Sequence, residues 1–367
     1  MTAPRVLIAG GGTAGHVLPG IAIAEELVRT HGAEIIWVGS QRGLETTLVP
    51  AKGFELIALE GRGIARSFSR QNLASAMGIA RAVKAAFKVM RTRRPAVVVS
   101  LGGYAAFPAG LAALVTRTPI VVAEQNARSG AVNRFLGRFA RSCAVPFAGT
   151  DLPHSVVTGN PVREEIIEAT AVSKEAAGAQ LGVPGNRTLV MAFAGSLGAK
   201  KINLAIAELA HRWAARSDLA IYHIVGARDF ADPSVMSTIE PNDGSDGLWY
   251  QVVEYDDEIA NSLRAADLVV CRAGGTSIAE LAALGIASIL VPLPIATRDH
   301  QFYNAAELVQ AGAAVLCLDA DFSADWLEQT CEGLLRDGQL DAMGHAAQTT
   351  SHPQAAKAIG DLVMAAL

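Results

Sequence analysis

Short apolar runs punctuate the whole chain: "RVLIA", "EIIWVG", "AVVVS" and "PIVVA", then "TLVMAFAG", "LAIYHIVG", "DLVVC" and "ASILVP". Between them lie segments with apolar residues at helical spacing, such as "LPGIAIAEELV" and "SIAELAALG". Strands that alternate with helices close into parallel, doubly wound sheets, whereas a β-sandwich or a helix bundle needs another order. The fold class is therefore α/β. The alternation falters around "VTGNPVREE" and the polar "SKEAAGAQLGVPGNRT" and restarts near Thr188. Arg163 to Asn186 accordingly reads as a connection between two Rossmann-like halves, and 367 residues, 51% of them apolar, suffice for two cores.

Glycine-rich turns follow strands in both halves. In "GGGTAGHVLPG", residues 10–20, Gly10, Gly12 and Gly15 have the G-x-G-x-x-G spacing of dinucleotide sites. Such a site also needs an acidic residue at the end of the second strand, for the ribose 2′-hydroxyl. Here Glu34 begins that strand, and Gly39 and Ser40 end it. The nicotinamide reading fails. What survives is a strand-to-helix turn with Pro19 suited to a first helical turn, so that backbone N–H groups at a helix start meet a phosphate or diphosphate. The bland alternative is a tight turn without a ligand. A second loop, "SLGGYAAFPAG", belongs at the same sheet edge and favours the diphosphate.

The second half carries its own set. In "CRAGGTSIAELAALG", Ser277 and Glu280 have capping-box spacing, so Glu280 either closes a helix start or accepts ribose hydroxyls. "TRDHQFYNAAEL" sets Gln301, Asn304 and Glu307 along one helix, with Gln301 placed for sugar hydroxyls or for solvent. "AGSLGAKKIN" offers Ser196 in another phosphate-friendly turn, with Lys200 and Lys201 read as solvated.

Charge is divided between the halves. Residues 1–150 carry 18 Lys and Arg against 7 Asp and Glu, whereas residues 151–367 carry 13 against 28. An anionic partner is expected for the first half. Nine of its cations fall in residues 61–94, which hold no acid. There "QNLASAMGIARAVKAAFKVMR" reads as an amphipathic helix with an apolar stripe of Leu73, Met77, Ala80, Val83, Phe87 and Met90. Arg81, Lys84, Lys88 and Arg91 line an adjoining stripe. A solvated face and a nucleic-acid surface are the plainer readings. The uncharged stretch Pro95 to Thr116 is long enough to span a bilayer, but Gly102, Gly103, Pro108 and Gly110 break it into strand, loop and helix. The start is too short in apolar length for a signal peptide. Cys143, Cys271, Cys317 and Cys331 lack metal-ligand spacing and fit a reducing compartment.

Taken in order, "GGTAGH", "SLGGYAAFPAG", "EQNARSGAVNRFL", "GNPVREE", "AGSLGAKKIN" and "CRAGGTSIAE…DHQFYNA" span nearly the whole chain. The ordered set closely resembles the MurG family of N-acetylglucosaminyltransferases, which make lipid II for peptidoglycan. The resemblance implies a GT-B fold, two Rossmann-like domains facing a cleft. It divides the chain into residues 1–162 for acceptor and membrane, 163–340 for UDP-sugar, and a helical segment 341–367 packing back on the first domain. UDP-N-acetylglucosamine is the implied donor, a substrate rather than a cofactor, and lipid I the implied acceptor. Matching positions assign donor contacts to Thr13, Asn126, Arg163, Ser196, Glu280 and Gln301, with Gly12, Ala14 and Thr276 beside them, and acceptor-diphosphate loops to Gly15, His16, Gly102, Gly103 and Tyr104. Three positions depart from the family: Ala14 and Leu197 replace glycine and glutamine, and Ala123 replaces the histidine before "EQN".

The implied chemistry is inverting transfer, which needs a base for the attacking hydroxyl and charge stabilisation for the leaving diphosphate. His16 is the candidate base, because a helix start favours neutral imidazole. Its alternative role is to touch the acceptor diphosphate. No D-x-D metal motif occurs at a suitable place, so no bound metal is expected. The resemblance further implies a peripheral enzyme on the cytoplasmic face of the cell membrane. Its partners would be an anionic membrane surface, contacted by Arg81, Lys84, Lys88 and Arg91, and cell-wall synthesis proteins, and not nucleic acid. A sugar-nucleotide 2-epimerase of the same fold, or a non-catalytic membrane-docking scaffold, are the alternatives.

Overall fold

The computed structural model describes residues 3–60, 71–195, 198–336 and 338–367, with the side chains of 71–77 outside the description. The chain forms two units, Met1–Arg163 with His352–Leu367, and Glu164–Ser351.

The first unit is built on β1 (Arg5–Gly10), β2 (Glu34–Ser40), β3 (Glu55–Leu59), β4 (Val97–Gly102), β5 (Ile120–Ala123), β6 (Ser142–Val145) and β7 (Ser155–Val157). Among the described residues these form one parallel sheet in the order β3-β2-β1-β4-β5-β6-β7. Helices cover both faces, so each central strand is mostly apolar and its residues alternate between two cores. Leu7, Ala9, Val98 and Val122 pack with the helices Gln71–Arg93 and Gly103–Thr116. Val6, Ile8, Val97 and Val99 face the other way, against the helices Ala14–His31 and Ala355–Ala365. Gly20 lets the first of these lie close, since a Cβ there would stand 2.3 Å from Leu101 Cδ1 and 2.6 Å from Trp37 Cη2.

The second unit uses β8 (Thr188–Phe193), β9 (Leu219–Ile224), β10 (Asn242–Asp243), β11 (Trp249–Val253), β12 (Leu268–Cys271), β13 (Ala287–Leu290) and β14 (Ala314–Leu316). Their order is β10-β11-β9-β8-β12-β13-β14, parallel except for the β10–β11 pair. In each sheet the winding reverses beside the first strand, between β1 and β4 and between β8 and β12. Doubly wound folds bind ligands at such switch points, outside the carboxyl ends of the strands.

All eight apolar runs are strands, and Pro95 to Thr116 holds strand β4 followed directly by helix Gly103–Thr116, with no separate loop between them. No helix among the described residues is long and apolar enough to cross a membrane. Four expectations need correction. Residues 163–186 are not a bare connection: the helices Glu164–Ala169 and Lys174–Leu181 belong to the second unit. Ile166 and Ala177 are fully buried, Lys174 pairs with Asp267, and Arg264 Nε donates to the Val172 carbonyl. The segment 341–367 is likewise divided. Helix Gln339–Thr349 stays with the second unit, where Met343 joins the core, and only His352–Leu367 returns to the first, where Ile359 and Val363 are buried. Pro19 lies in the second turn of a helix that already begins at Ala14, so the Gly15 carbonyl receives no helical hydrogen bond from position 19.

The fourth concerns helix Gln71–Arg93. Its core face is Ala82, Ala86, Val89 and Met90; Val83 and Phe87 are half-buried and Ala80 is exposed, while the side chains of Leu73 and Met77 lie outside the described residues. Small alanines take the core position, in one cluster with Ala106, Ala109 and Ala113 of the neighbouring helix.

Candidate functional site

In the first unit the two glycine loops leave the adjacent carboxyl ends of β1 and β4, where Gly10 pairs with Gly102. They touch: a Cβ on Gly103, whose φ is +73°, would sit 3.1 Å from the Gly11 carbonyl oxygen. Thr13 is the N-cap of helix Ala14–His31, and its carbonyl accepts the His16 and Val17 N–H groups. Thr13 Oγ1 lies 3.1 Å from His16 Nδ1. When Nδ1–H donates to this hydroxyl, the lone pair able to take a proton is on Nε2. Ala14 is the first helical residue and keeps an ordinary φ, so this backbone does not require the family's glycine. Ala123 is buried at the end of β5.

The loop after β5 is ordered by Glu124. Its carboxylate accepts Gln125, Asn126 and Gly130 N–H groups and the side-chain amides of Asn126 and Asn133. Asn133 also accepts Ser100 Oγ–H at 2.8 Å and lies against Gly102, which ties this loop to the second glycine loop. Tyr104, the second residue of helix Gly103–Thr116, has a buried hydroxyl with no partner among the described residues. Burial raises its pKa, so it keeps a proton to donate. Thus Gly12, Thr13, Ala14, Gly15, His16, Gly102, Gly103, Tyr104 and Asn126 share one sheet edge. Arg163 is the last residue of this unit before the chain crosses to the second.

In the second unit, β8 ends at Phe193, and the chain continues through Gly195 and Gly198 to helix Lys200–Arg212. Ser196, with Leu197, lies outside the described residues. Lys200 and Lys201 are not simply solvated: Lys200 pairs with Asp232, and Lys201 Nζ donates to the Asp319 and Ala320 carbonyls. Helix Gly275–Leu284 starts at the N-cap Gly274, so Ser277 is its third residue and Glu280 its sixth. That spacing removes the capping-box alternative, which requires Ser at the cap. Glu280 is 4% exposed and close enough to Cys271 that burial and this carboxylate together push the thiol up to about 12. The Thr276 hydroxyl, one turn away, is buried without a partner among the described residues. Buried polar atoms left without partners are rare in folded proteins and mark places where a ligand can complete the set. Gln301 Oε1 accepts Leu293 N–H at 2.9 Å, which turns the amide NH2 into the end that can donate to a sugar. Asn304 is buried and donates to the Ala273 carbonyl, tying this helix to the glycine turn.

Sequence reasoning missed the buried polar row that holds the loop after β8. Asn203 donates to the Val225 carbonyl and to Asp229, and its Oδ1 lies 3.0 Å from His223 Nε2. Since Asn203 Oδ1 only accepts, His223 carries its proton on Nε2, and Tyr250 donates to Nδ1 at 3.0 Å. Desolvation pushes the His223 pKa down to about 3, against about 6.5 in an unfolded chain. Below pH 6.5 the unfolded chain therefore binds a proton that the native unit refuses. Stability is complete above that pH and falls on acidification toward pH 3, by about 1.4 kcal/mol per pH unit. Urea unfolding between pH 7 and 4.5 should show a shallower acid loss for His223→Gln than for the parent; equal slopes would contradict this. Among the described residues no group of three or more His, Cys, Asp or Glu is placed to hold a metal ion.

Two doubly wound units, each presenting glycine turns and buried polar side chains at its switch point, make up the GT-B architecture of glycosyltransferases. Residues 6–145 match the glycosyltransferase family 28 N-terminal domain, and residues 189–359 match the family's C-terminal domain. Over 368 residues the chain is 39% identical to the UDP-N-acetylglucosamine--N-acetylmuramyl-(pentapeptide) pyrophosphoryl-undecaprenol N-acetylglucosamine transferase of Desulforudis audaxviator, covering 98% of this chain and 97% of that one. The enzyme of the same name from Acetivibrio thermocellus is 36% identical with the same coverage. The crystal structure of Acinetobacter baumannii MurG superposes with a TM-score of 0.76 at 27% identity, over 99% of both chains. A UDP-N-acetylglucosamine 2-epimerase from Neisseria meningitidis, at 16% identity and TM-score 0.69, shares the fold alone. The chain belongs to glycosyltransferase family 28, with the MurG transferases, and is a hexosyltransferase.

Proposed function

We propose that the protein transfers N-acetylglucosamine from UDP-N-acetylglucosamine to the 4-hydroxyl of the muramoyl sugar of lipid I, giving lipid II. The full-length identity of 36–39% to transferases so named supports this over the 2-epimerase, whose likeness stops at the fold. The observation that carries the chemistry is His16, fixed to Thr13 at a helix start between two touching glycine loops. That setting suits a neutral imidazole that takes the hydroxyl proton while the nucleophile attacks the anomeric carbon from the face opposite UDP. Gly15, Gly102, Gly103 and Tyr104 receive the acceptor diphosphate. The second unit holds UDP through Thr276, Glu280 and Gln301 with Ser196; Gly12, Thr13, Ala14, Asn126 and Arg163 complete the donor contacts. The enzyme works as a peripheral protein on the cytoplasmic face of the cell membrane, where the lipid tail of the acceptor stays embedded.

The donor assignment is tested with Glu280→Ala. Loss of a carboxylate that accepts ribose hydroxyls leaves them unpaired and should weaken donor binding by about 1–3 kcal/mol. Calorimetry with UDP-N-acetylglucosamine reads this apart from folding. An unchanged affinity would remove Glu280 from the donor site.

A further inference from the structure

The first glycine loop is shaped from behind by a carboxylate that the chemistry above does not use. Glu45, the first residue of helix Glu45–Ala51, is fully buried. Its Oε2 accepts Gly12 N–H at 2.7 Å, and its Oε1 accepts both Ser40 N–H and Ser40 Oγ–H at 2.7 Å. All three of these groups are donors, as a carboxylate requires. Three glycines leave it room. A Cβ on Gly11 would stand 2.2 Å from Glu45 Cδ, one on Gly39 2.6 Å from Cγ, and one on Gly43 1.9 Å from Oε2. None of these three has a positive φ, so it is space, taken chiefly by Glu45 and at Gly39 also by Leu56, that demands glycine.

The consequence lies at Gly12. Its N–H, which a phosphate cradle would turn outward, points inward to Glu45. The residue after it is Thr13, which caps the helix and holds the His16 ring. We infer that Glu45 is a positioning residue for the transfer: it anchors Gly12 and thereby sets Thr13 and the imidazole of His16 for proton removal. This rests on His16 being the base. The acceptor diphosphate is then met by the N–H groups beyond Gly12, at the helix start, and not by Gly12 itself.

A cycle of Glu45→Gln, His16→Ala and the double variant tests this with full-length enzyme, UDP-N-acetylglucosamine and lipid I. The amide keeps the size of Glu45 but sets an NH2 against an N–H donor, which shifts the loop. Misplacing a catalytic group by about 1 Å costs up to about 100-fold, so Glu45→Gln should lower kcat per folded molecule by roughly 10- to 100-fold with donor KM changed less than about twofold. In the His16→Ala background the same substitution should change kcat by less than about twofold, because the group it positions is gone. An unaltered kcat for Glu45→Gln, or its full loss repeated without His16, overturns the positioning role. A normal kcat for His16→Ala overturns the base instead, which separates the two failures. Should Glu45→Gln not fold, Ser40→Ala is read in its place. It removes one of the three donors and should cost about threefold in kcat, again only when His16 is present; no loss, or the same loss without His16, overturns the role.

Discussion

His16→Ala should lower turnover by about 10²- to 10⁴-fold, the usual yield of a general base, while donor affinity stays within about twofold. Three contacts make the effect specific to the side chain. The Thr13 carbonyl already holds the backbone N–H of His16 and Val17, so the helix start survives the substitution. The Thr13 hydroxyl, 3.1 Å from Nδ1, fixes the ring, and when Nδ1–H donates to it Nε2 is the proton acceptor. The ring also stands at the positive end of the helix that begins at Ala14. Steady-state kinetics with donor and acceptor varied separately decides the outcome. A raised acceptor KM with unchanged kcat would mean that His16 positions the lipid diphosphate and that another group takes the proton.

Replacing Arg81, Lys84, Lys88 and Arg91 together with Gln should release the protein from anionic vesicles. All four are exposed on helix Gln71–Arg93. Half-buried Val83 and Phe87 intervene between them along the chain, so charge and partly available apolar surface occur on one helix. Near an anionic bilayer each cation contributes about 1 kcal/mol, so four account for roughly 10²- to 10³-fold in partitioning at low salt. Arg81 contributes least of the four, because Glu60 stands 3.7 Å away and offsets part of its charge. Vesicle sedimentation reads the loss, and a water-soluble acceptor analogue should still be glycosylated at the parent rate. Equal vesicle binding before and after would sink membrane docking by this helix.

What the sequence reveals follows from how local each cause is. The eight apolar runs are legible because strands buried on both faces are apolar at nearly every position, with only single polar residues such as Ser100, His223 and Ser288 inside them. β3 and β7 lie at the sheet edges, with half-exposed and exposed residues, and so leave no comparable run. The glycine turns are legible because their backbone geometry and helix starts are set within a few residues. Glu45 and Glu124 are not. Glu45 acts on Gly12 across 33 residues of chain, and no local pattern around "GLETT" announces it. Glu124 sits inside the quoted "EQN", but its part in holding Asn133 and Gly130 emerges only when the loop closes. The Ser277–Glu280 spacing misled for the opposite reason: a local pattern matched a cap, but the helix had already begun at Gly275. The alanine face of helix Gln71–Arg93 defeated a hydrophobicity count, since close packing rewards small residues that the count ranks low.

The most direct measurement follows labelled N-acetylglucosamine from its UDP donor in the presence and absence of lipid I. The label should move into the lipid-extractable fraction as a β-linked sugar, with one UDP released for each sugar transferred and none without acceptor. Release of UDP and free sugar without lipid I, or label that stays wholly in the aqueous phase when lipid I is present, would contradict the account.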